Sequence, residues 1–502
     1  MAITRRFLLT SSLTGAGVLV LSACSDPSPA PSPSASPSVT PSRTPTATAT
    51  TDTGVHPVAS RRSQWGKDPY SYGSGSFLTT ASTDSSRELL RQPLNDRLFF
   101  AGEAVASTDP GTLMGAYSSG LEVAAAVAAT ASKGERIAVV GAGLAGVTAA
   151  RALADQGFDV VVVEARGRVG GRISPVTSSD WPIEIQLGVG TLYGDGAATL
   201  ESVLTNGGVT VLGLDATEAA RTSDAPTTPP DSASVVAALA AASAWAQQQS
   251  AEVTVDDAVT QSGSGGALSS VPDASGVSDT QRLAYLLDEA LPARFGATAK
   301  TLSARALPVP LLPTDATLLT AGLGAYITGQ LGKLDVLKSS NVTRITYANQ
   351  GVGLRLVTGE SLSADKVIVT VPLGVLQKKR IVFDPALPAA TLAAIDDIGM
   401  GVQDVLWLRF GERLWSSDAT VWAILDEKAV YRLWLNLEPS TGFPILVGLV
   451  GGDAARATEK LSDSGAVEAG LASLAPYLDM VPSTASPTPS PSGAAPSATP
   501  SP

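Results

Sequence analysis

The chain has 502 residues and a formal charge of −12, with one cysteine, Cys24, and one histidine, His56. A single cysteine forbids an intrachain disulfide or a cysteine-based cluster, and a single histidine argues against Ser–His hydrolysis and His-ligated metal, so no metal site is expected. The acidic balance, without a basic block, argues against nucleic acid and is compatible with cationic ligands.

From the N-terminus, Thr4-Arg5-Arg6-Phe7-Leu8-Leu9 fits a twin-arginine export signal, and the apolar run up to Cys24 is short for a bilayer span. Leu21-Ser22-Ala23-Cys24 resembles a bacterial lipobox, in which Cys24 becomes the lipid-modified first residue of an exported, membrane-anchored protein. An ordinary cleaved signal is the alternative. Residues 25–55 and 482–502 are rich in Ser, Thr, Pro and Ala. Such stretches bury too little apolar surface to offset ordering entropy and are expected to be disordered. The foldable body is then 56–481, long enough for two domains.

That body opens with Trp65-Gly-Lys-Asp68-Pro69-Tyr70 and Gly73-Ser-Gly-Ser76. Arg97-Leu-Phe-Phe-Ala-Gly-Glu103 predicts a strand over 98–101, and Gly111-Thr-Leu-Met-Gly-Ala116 opens a helix over 112–130. A strand over 137–140 then runs into Gly141-Ala142-Gly143-Leu-Ala145-Gly146, a helix over 147–156, and a strand over 160–163 closed by Glu164. This is the spacing of a dinucleotide site. Gly141 permits the tight turn, Gly143 lets a pyrophosphate approach the backbone, and Gly146 lets helix and strand pack closely. The helix N-terminus presents unpaired N–H groups to phosphate, and Glu164 is placed to accept from a ribose.

Further on, helix patterns at 231–250 and 279–296 flank a Gly/Ser loop at 262–276, and 365–376 reads as a buried strand ended by Pro372. A last helical pattern covers 462–478. Tyr193, Trp407, Trp422, Tyr431 and Trp434 are candidate pocket walls, weighed against the core positions that aromatics at apolar sites more often fill.

Glu164-Ala165-Arg166-x-Arg168-x-Gly170-Gly171-Arg172 resembles the second motif of glutathione-reductase-like FAD enzymes. The segments at 65–76 and 97–116 resemble the C-terminal flavin motifs of the flavin amine oxidase family. In that family the stretch like 183–191 passes the flavin ring, 319–345 leads to a strand beside the adenine, 365–376 is a signature run, and 398–410 enters the substrate domain. Because 65–116 would end such a chain, its place at the front implies a circular permutation. In this arrangement 130–136 becomes a short, right-handed crossover connector, and the new ends fall in a surface loop of the substrate domain.

The resemblance implies an α/β fold. It consists of a glutathione-reductase-like, doubly wound FAD-binding domain of the Rossmann type, built from segments 56–131, 132–215 and 311–390, and a mixed-sheet α+β substrate domain at 391–481 with a cap segment at 216–310. It also implies FAD contacts at Gly141, Ala142, Gly143, Ala145, Gly146, Glu164, Ala165, Arg166, Gly171, Arg172, Gly188, Val342, Gly102, Glu103, Thr112 and Leu113. The activity implied is oxidation of a small amine to an imine, with oxygen reduced to peroxide. No catalytic residue is assigned.

The chain departs from the family at several places. Val405 stands where a lysine usually reaches flavin N5 through water and assists reoxidation. Ser74 stands where some relatives bond flavin through cysteine, so FAD should be non-covalent. Gly75 and Thr112 replace the aromatic amine cage of monoamine oxidases. Residues 188–193 lack the cation that amino-acid oxidases use, which favours amines. Two rivals stay open: another flavin oxidoreductase of this fold (desaturase-like, porphyrinogen-oxidising or a dehydrogenase), and a surface lipoprotein that has lost catalysis.

Overall fold

In the computed structural model the described residues are 55–478, apart from 189, 195, 215–216, 221, 223–225, 309–310, 312–315 and 349–350. The expected export signal, Cys24, nearly all of the 25–55 linker and the 482–502 tail lie outside the described residues.

Five short strands form a wholly parallel sheet in the order Asp335–Leu337, Asp159–Val163, Arg136–Val140, Lys366–Val369, Leu98–Phe100. Their β-branched runs are buried on both faces, as parallel strands require. Alternate residues therefore serve different layers. Ile137, Val139, Val160, Val162 and Ile368 pack against the helices Leu113–Thr130 and Leu144–Asp155. Ala138, Val140, Val161, Val163 and Val367 pack against a second sheet made by Val342–Ala348, Gly351–Leu356, Ser361–Ala364 and Val382–Asp384.

The connection from the 98–100 strand to the 136–140 strand runs through the 113–130 helix and skips over the 366–369 strand. Buried Lys366 fixes both ends of this excursion. Its Nζ donates to the Asp96 carbonyl at 2.8 Å and carboxylate at 2.9 Å, and to Thr130 Oγ1 at 3.1 Å, at the helix C-terminus where a cation is favoured. Asp365 then accepts from Arg136 N–H at 2.7 Å.

A separate six-stranded mixed sheet is ordered Ala59–Arg62, Gln403–Arg409, Ile445–Gly451, Leu433–Asn436, Val421–Ile424, Thr217–Ala220, with only the last pair parallel. Trp422 and Trp434 are fully buried behind it, and Trp422 stacks on Tyr477 with ring centroids 4.4 Å apart. Val55 packs against the cluster that holds Tyr477 and Leu478.

The helices Ala233–Gln247, Val255–Gln261 and Asp279–Tyr285 share one core with Leu291–Phe295. The pattern at 279–296 forms one continuous rod with a π turn at Leu286–Ala290. Pro292 has no N–H to keep the regular ladder, which accounts for the shift there. Gly296, at φ +65°, ends the rod in the left-handed region.

Candidate active site

At the C-terminal ends of the parallel strands lies a cleft of about 500 Å³. Gly141 (φ +113°) makes the turn out of its strand, and a Cβ on Gly146 would collide with the Gly141 carbonyl, so helix and turn meet at glycine. Gly143 caps the 144–155 helix, and a Cβ built on it finds no protein atom within 4 Å. The open side of Gly143 is therefore the cleft itself, where an anion can approach the helix N-terminus.

Buried Glu164 is braced for its role. One carboxylate oxygen accepts from Ala142 N–H at 2.8 Å and the other from Arg166 N–H at 2.7 Å. The Arg166 side chain turns to Asp68, which it binds through both guanidinium ends at 2.9 and 2.6 Å, and its guanidinium lies over the Tyr70 ring at 5.1 Å. A bidentate fork of this kind fixes geometry as well as charge, and here it ties the front segment to the glycine-rich one.

The far end of the cleft is polar. Arg172 Nη1 donates to the Ser74 carbonyl and to Glu103 Oε1, each at 2.7 Å. Glu103 Oε2 accepts from Ser76 Oγ at 2.6 Å, and Arg87, behind Ser76, donates to the same hydroxyl at 2.9 Å. Burial pushes the Glu103 carboxyl up, but Arg172, Ser76 and Arg87 outweigh it and hold the group below its ordinary range. Thr112 caps the 113–130 helix by accepting from Gly115 N–H at 3.1 Å, which turns that N-terminus toward the same space.

Of the expected contacts, Gly141, Gly143, Ala145, Glu164, Ala165, Arg166, Gly171, Arg172, Gly102, Glu103, Thr112, Leu113 and Val342 line this cleft. Ala142 and Gly146 do not. Ala142 is fully buried and serves through its N–H to Glu164, and Gly146 serves helix–strand packing. Gly188 lies in an adjoining cavity of about 110 Å³, which shares Ser74, Gly111, Thr112 and Arg172 with the cleft.

Sequence reasoning missed Thr370 and Arg380 on the cleft wall. Thr370 follows the 366–369 strand directly, and that position at a strand's C-terminal end was signal enough to find it.

Trp65, Tyr193, Val405 and Trp407 stand around the smaller cavity. Trp422, Tyr431 and Trp434 lie in the core of the other sheet face. Tyr193 and Gln403 also border an outer chamber of about 600 Å³, whose charged residues include Asp109, Arg294 and the Glu252–Arg305 pair, 2.8 Å apart. A cation from another segment stands beside this stretch: the Arg294 guanidinium lies 5.0 Å over the Tyr193 ring, with Nη1 donating to the Leu311 carbonyl at 2.8 Å. Among the described residues, no group of three or more His, Cys, Asp or Glu could hold a metal ion, and no helix is long and apolar enough to cross a membrane.

The flavin containing amine oxidoreductase family matches residues 48–128 and 246–493, and an NAD(P)-binding Rossmann-like domain matches 139–203. Polyamine oxidase 2 of Arabidopsis thaliana is 28% identical over 350 residues, covering 66% of this chain and 70% of that protein. Human lysine-specific histone demethylase 2 is 29% identical over 167 residues, 32% of this chain and 20% of that one. A putrescine oxidase variant with redesigned cofactor binding superposes with a TM-score of 0.54 at 20% identity, covering 69% of this chain and 82% of its own, which shows the fold. With the family matched over more than half of the chain's length and a dinucleotide cleft closed by segments from both parts of that match, the protein belongs to the flavin-containing amine oxidases, FAD-dependent oxidoreductases that act on CH–NH groups.

Proposed function

We propose that the protein oxidises a primary or secondary amine to an imine, which hydrolyses to an aldehyde or ketone, while oxygen is reduced to hydrogen peroxide. The observation that carries this reading is the continuity of three spaces. The dinucleotide cleft opens at Ser74, Gly111, Thr112 and Arg172 onto a cavity walled by Trp65, Tyr193 and Trp407, and through Thr112, Tyr193 and Gln403 onto the chamber.

The cleft fits FAD. Gly143 leaves its cradle open to a pyrophosphate, Glu164 is held ready for a ribose, and Arg172, Glu103 and the Thr112 helix end would hold the ring end. Bound FAD supplies acceptance of a hydride equivalent from the carbon next to nitrogen. The chain's own part is to bind and orient. The positive end of the 113–130 helix faces the space where negative charge develops. The aromatic walls exclude water from the reacting carbon. Ser74 Oγ is engaged with Gln403, accepting from its N–H at 2.7 Å, and offers no thioether chemistry, consistent with non-covalent FAD.

Two further parts of the reading concern the ends and order of the chain. The twin-arginine and lipobox patterns support export with a lipid anchor at Cys24. The shared cluster of Val55, Tyr477 and Leu478 supports circular permutation, because it puts together the residues that an unpermuted chain would join. The function is tested by mixing FAD-loaded protein anaerobically with a panel of monoamines, diamines and amino acids, then admitting air. Bleaching of the flavin by an amine, followed by stoichiometric peroxide, is expected. A yellow protein bleached by none of them would overturn the reading.

A further inference from the structure

Behind Trp65, two carboxyl groups are buried facing each other. Asp404 is 4% exposed and Glu459 6%. Asp404 precedes Val405 on the 403–409 strand and borders the flavin-facing cavity. Its Oδ1 accepts from Ser63 Oγ at 2.7 Å and from Trp65 N–H at 2.9 Å, while its buried Oδ2 meets no donor. Glu459 faces it from the end of the Gly452–Thr458 helix. Glu459 Oε1 accepts from the N–H groups of Gly66 at 2.6 Å and Lys67 at 3.3 Å, and its carbonyl accepts from Gln64 Nε2 at 3.0 Å and from Lys67 Nζ. The two acids thus grip the loop 63–67 from both sides. Trp65 sits at the middle of that loop, its Nε1 donating to the Leu187 carbonyl at 2.8 Å and its ring against Gly188.

We propose that Asp404 and Glu459 share one proton and, through it, act as positioning residues for Trp65, the wall of the flavin-facing cavity. The inference rests on the amine-oxidising reading of that cavity. With the proton in place, the Asp404 hydroxyl donates to Glu459 and the loop is clamped. Without it, two carboxylates face each other with little water to separate them, and the loop they both hold must yield.

Burial, together with the charge of Glu459, raises the Asp404 carboxyl to about 6. A raised carboxyl favours the fold most below its ordinary value of 3.8 and loses that advantage as pH climbs through about 6. Other charged or titratable groups near the pair and its loop are Lys67, Arg62, Asp463 and Tyr431, with Arg172 across the cavity and Asp68 and Arg168 beyond the loop; Arg172 is engaged with Glu103 and Asp68 with Arg166. Arg62 is spent on Asp463 at 2.7 Å and on the Thr458 carbonyl at 3.0 Å, and burial pushes the Tyr431 hydroxyl up to about 12. The step at about pH 6 therefore belongs to Asp404.

Asp404→Asn supplies the shared proton permanently, since its amide donates toward Glu459 while its oxygen still accepts from Ser63 and Trp65. Asp404→Val removes both functions. FAD-loaded wild type and variants are compared from about pH 4.5 to about pH 8.5 by thermal midpoint and by anaerobic flavin reduction with a bleaching amine. Relative to the Asn variant, the wild type should lose thermal stability and bind the amine roughly tenfold more weakly as pH rises through the step, within the ~100-fold that two pKa units allow. Its limiting reduction rate should change less, and the Val variant should be impaired throughout. The same pH step in Asp404→Asn, or equal midpoints of wild type and Asn variant at every pH, overturns the proposal. The thermal arm needs no substrate, so a protein that shows the step but is bleached by no amine sinks the amine reading and leaves the proton pair standing.

Discussion

Replacing Glu103 by Gln isolates the negative charge that the polar end of the cleft holds between two guanidinium groups. Its oxygens meet Arg172 Nη1 at 2.7 Å and Ser76 Oγ at 2.6 Å, and Arg87, only 2% exposed, reaches the same hydroxyl at 2.9 Å. Gln keeps the volume and one acceptor, so the variant loses charge and little else. Deleting one partner of a buried ion pair costs roughly 3–5 kcal/mol, and the retained acceptor puts this change at the lower end, about 3 kcal/mol. In a folded body of this size each kcal/mol moves the midpoint by about 1 °C, so FAD-free protein should melt about 3 °C lower.

The pH dependence has a definite sign. Glu103 is held below its ordinary value of 4.5, so its contribution is present above that value and is lost as pH falls through the depressed one. The gap between wild type and Glu103→Gln should therefore be full at neutral pH and close in acid. Thermal unfolding followed by circular dichroism across this range decides the matter. Equal midpoints at neutral pH, or a gap that widens in acid, would refute the ion-pair account.

Four other substitutions separate fold from site. Gly143→Ala adds a methyl that points into open cleft, so FAD-free stability should hold within about 1 kcal/mol while FAD affinity falls at least roughly tenfold, read by flavin fluorescence titration. Gly146→Ala, three residues on, drives its methyl into the Gly141 carbonyl and should destabilise even FAD-free protein by about 2 kcal/mol; the reverse pattern for the two glycines would contradict the cradle geometry. Arg166→Lys loses the two-pronged bond to Asp68 and should cost about 1–2 kcal/mol with weaker FAD retention, whereas a lysine as good as the arginine would show that the fork does not join the two segments. Val405→Lys places an ammonium in the cavity lined by Trp407 and Leu449 and should speed reoxidation in air, measured by stopped flow after anaerobic reduction; an unchanged rate would count against the alignment of this strand with the family.

The parts of this site that are readable from sequence are those made by one uninterrupted stretch. Turn, helix and strand lengths fix where Glu164 must fall after Gly141, and the structure adds that Ala142 and Arg166 N–H groups brace it there. The 98–113 stretch is of the same kind, a strand, a glycine and a helix cap in one run. Contacts between distant stretches carry no such signature. Nothing in Arg166 announces Asp68 as its partner, and nothing in Asp404 announces Glu459. Aromatic alternation likewise tells which residues point inward but not toward which cluster. Tyr193 and Trp407 face the cavity, while Trp422, Tyr431 and Trp434 fill the core on the other side of the sheet. The layer made by the 342–348 and 351–356 strands was also invisible as a layer, because a β-sheet covers the parallel sheet with the same alternating apolar residues it would use against solvent-shielding helices.

The same division between local and distant contacts explains why the proposed permutation disturbs the site so little. The cleft is closed by contacts through space: Arg166 to Asp68, Arg172 to the Ser74 carbonyl and Glu103, Arg87 to Ser76. None of these depends on which piece is synthesised first. Covalent order enters only through loop-closure entropy, which grows with the logarithm of loop length, so exchanging one short connection for another changes the balance by roughly 1 kcal/mol or less. The exchange is sterically cheap as well. The new tie between Thr130 and Arg136 is short, with Lys366 and Asp365 holding its two ends, and the old one would have joined residues that already share the cluster of Val55 and Leu478. The edge position of the 98–100 strand completes the argument, for an edge strand borders one neighbour only and can be delivered to the sheet from either end of the chain.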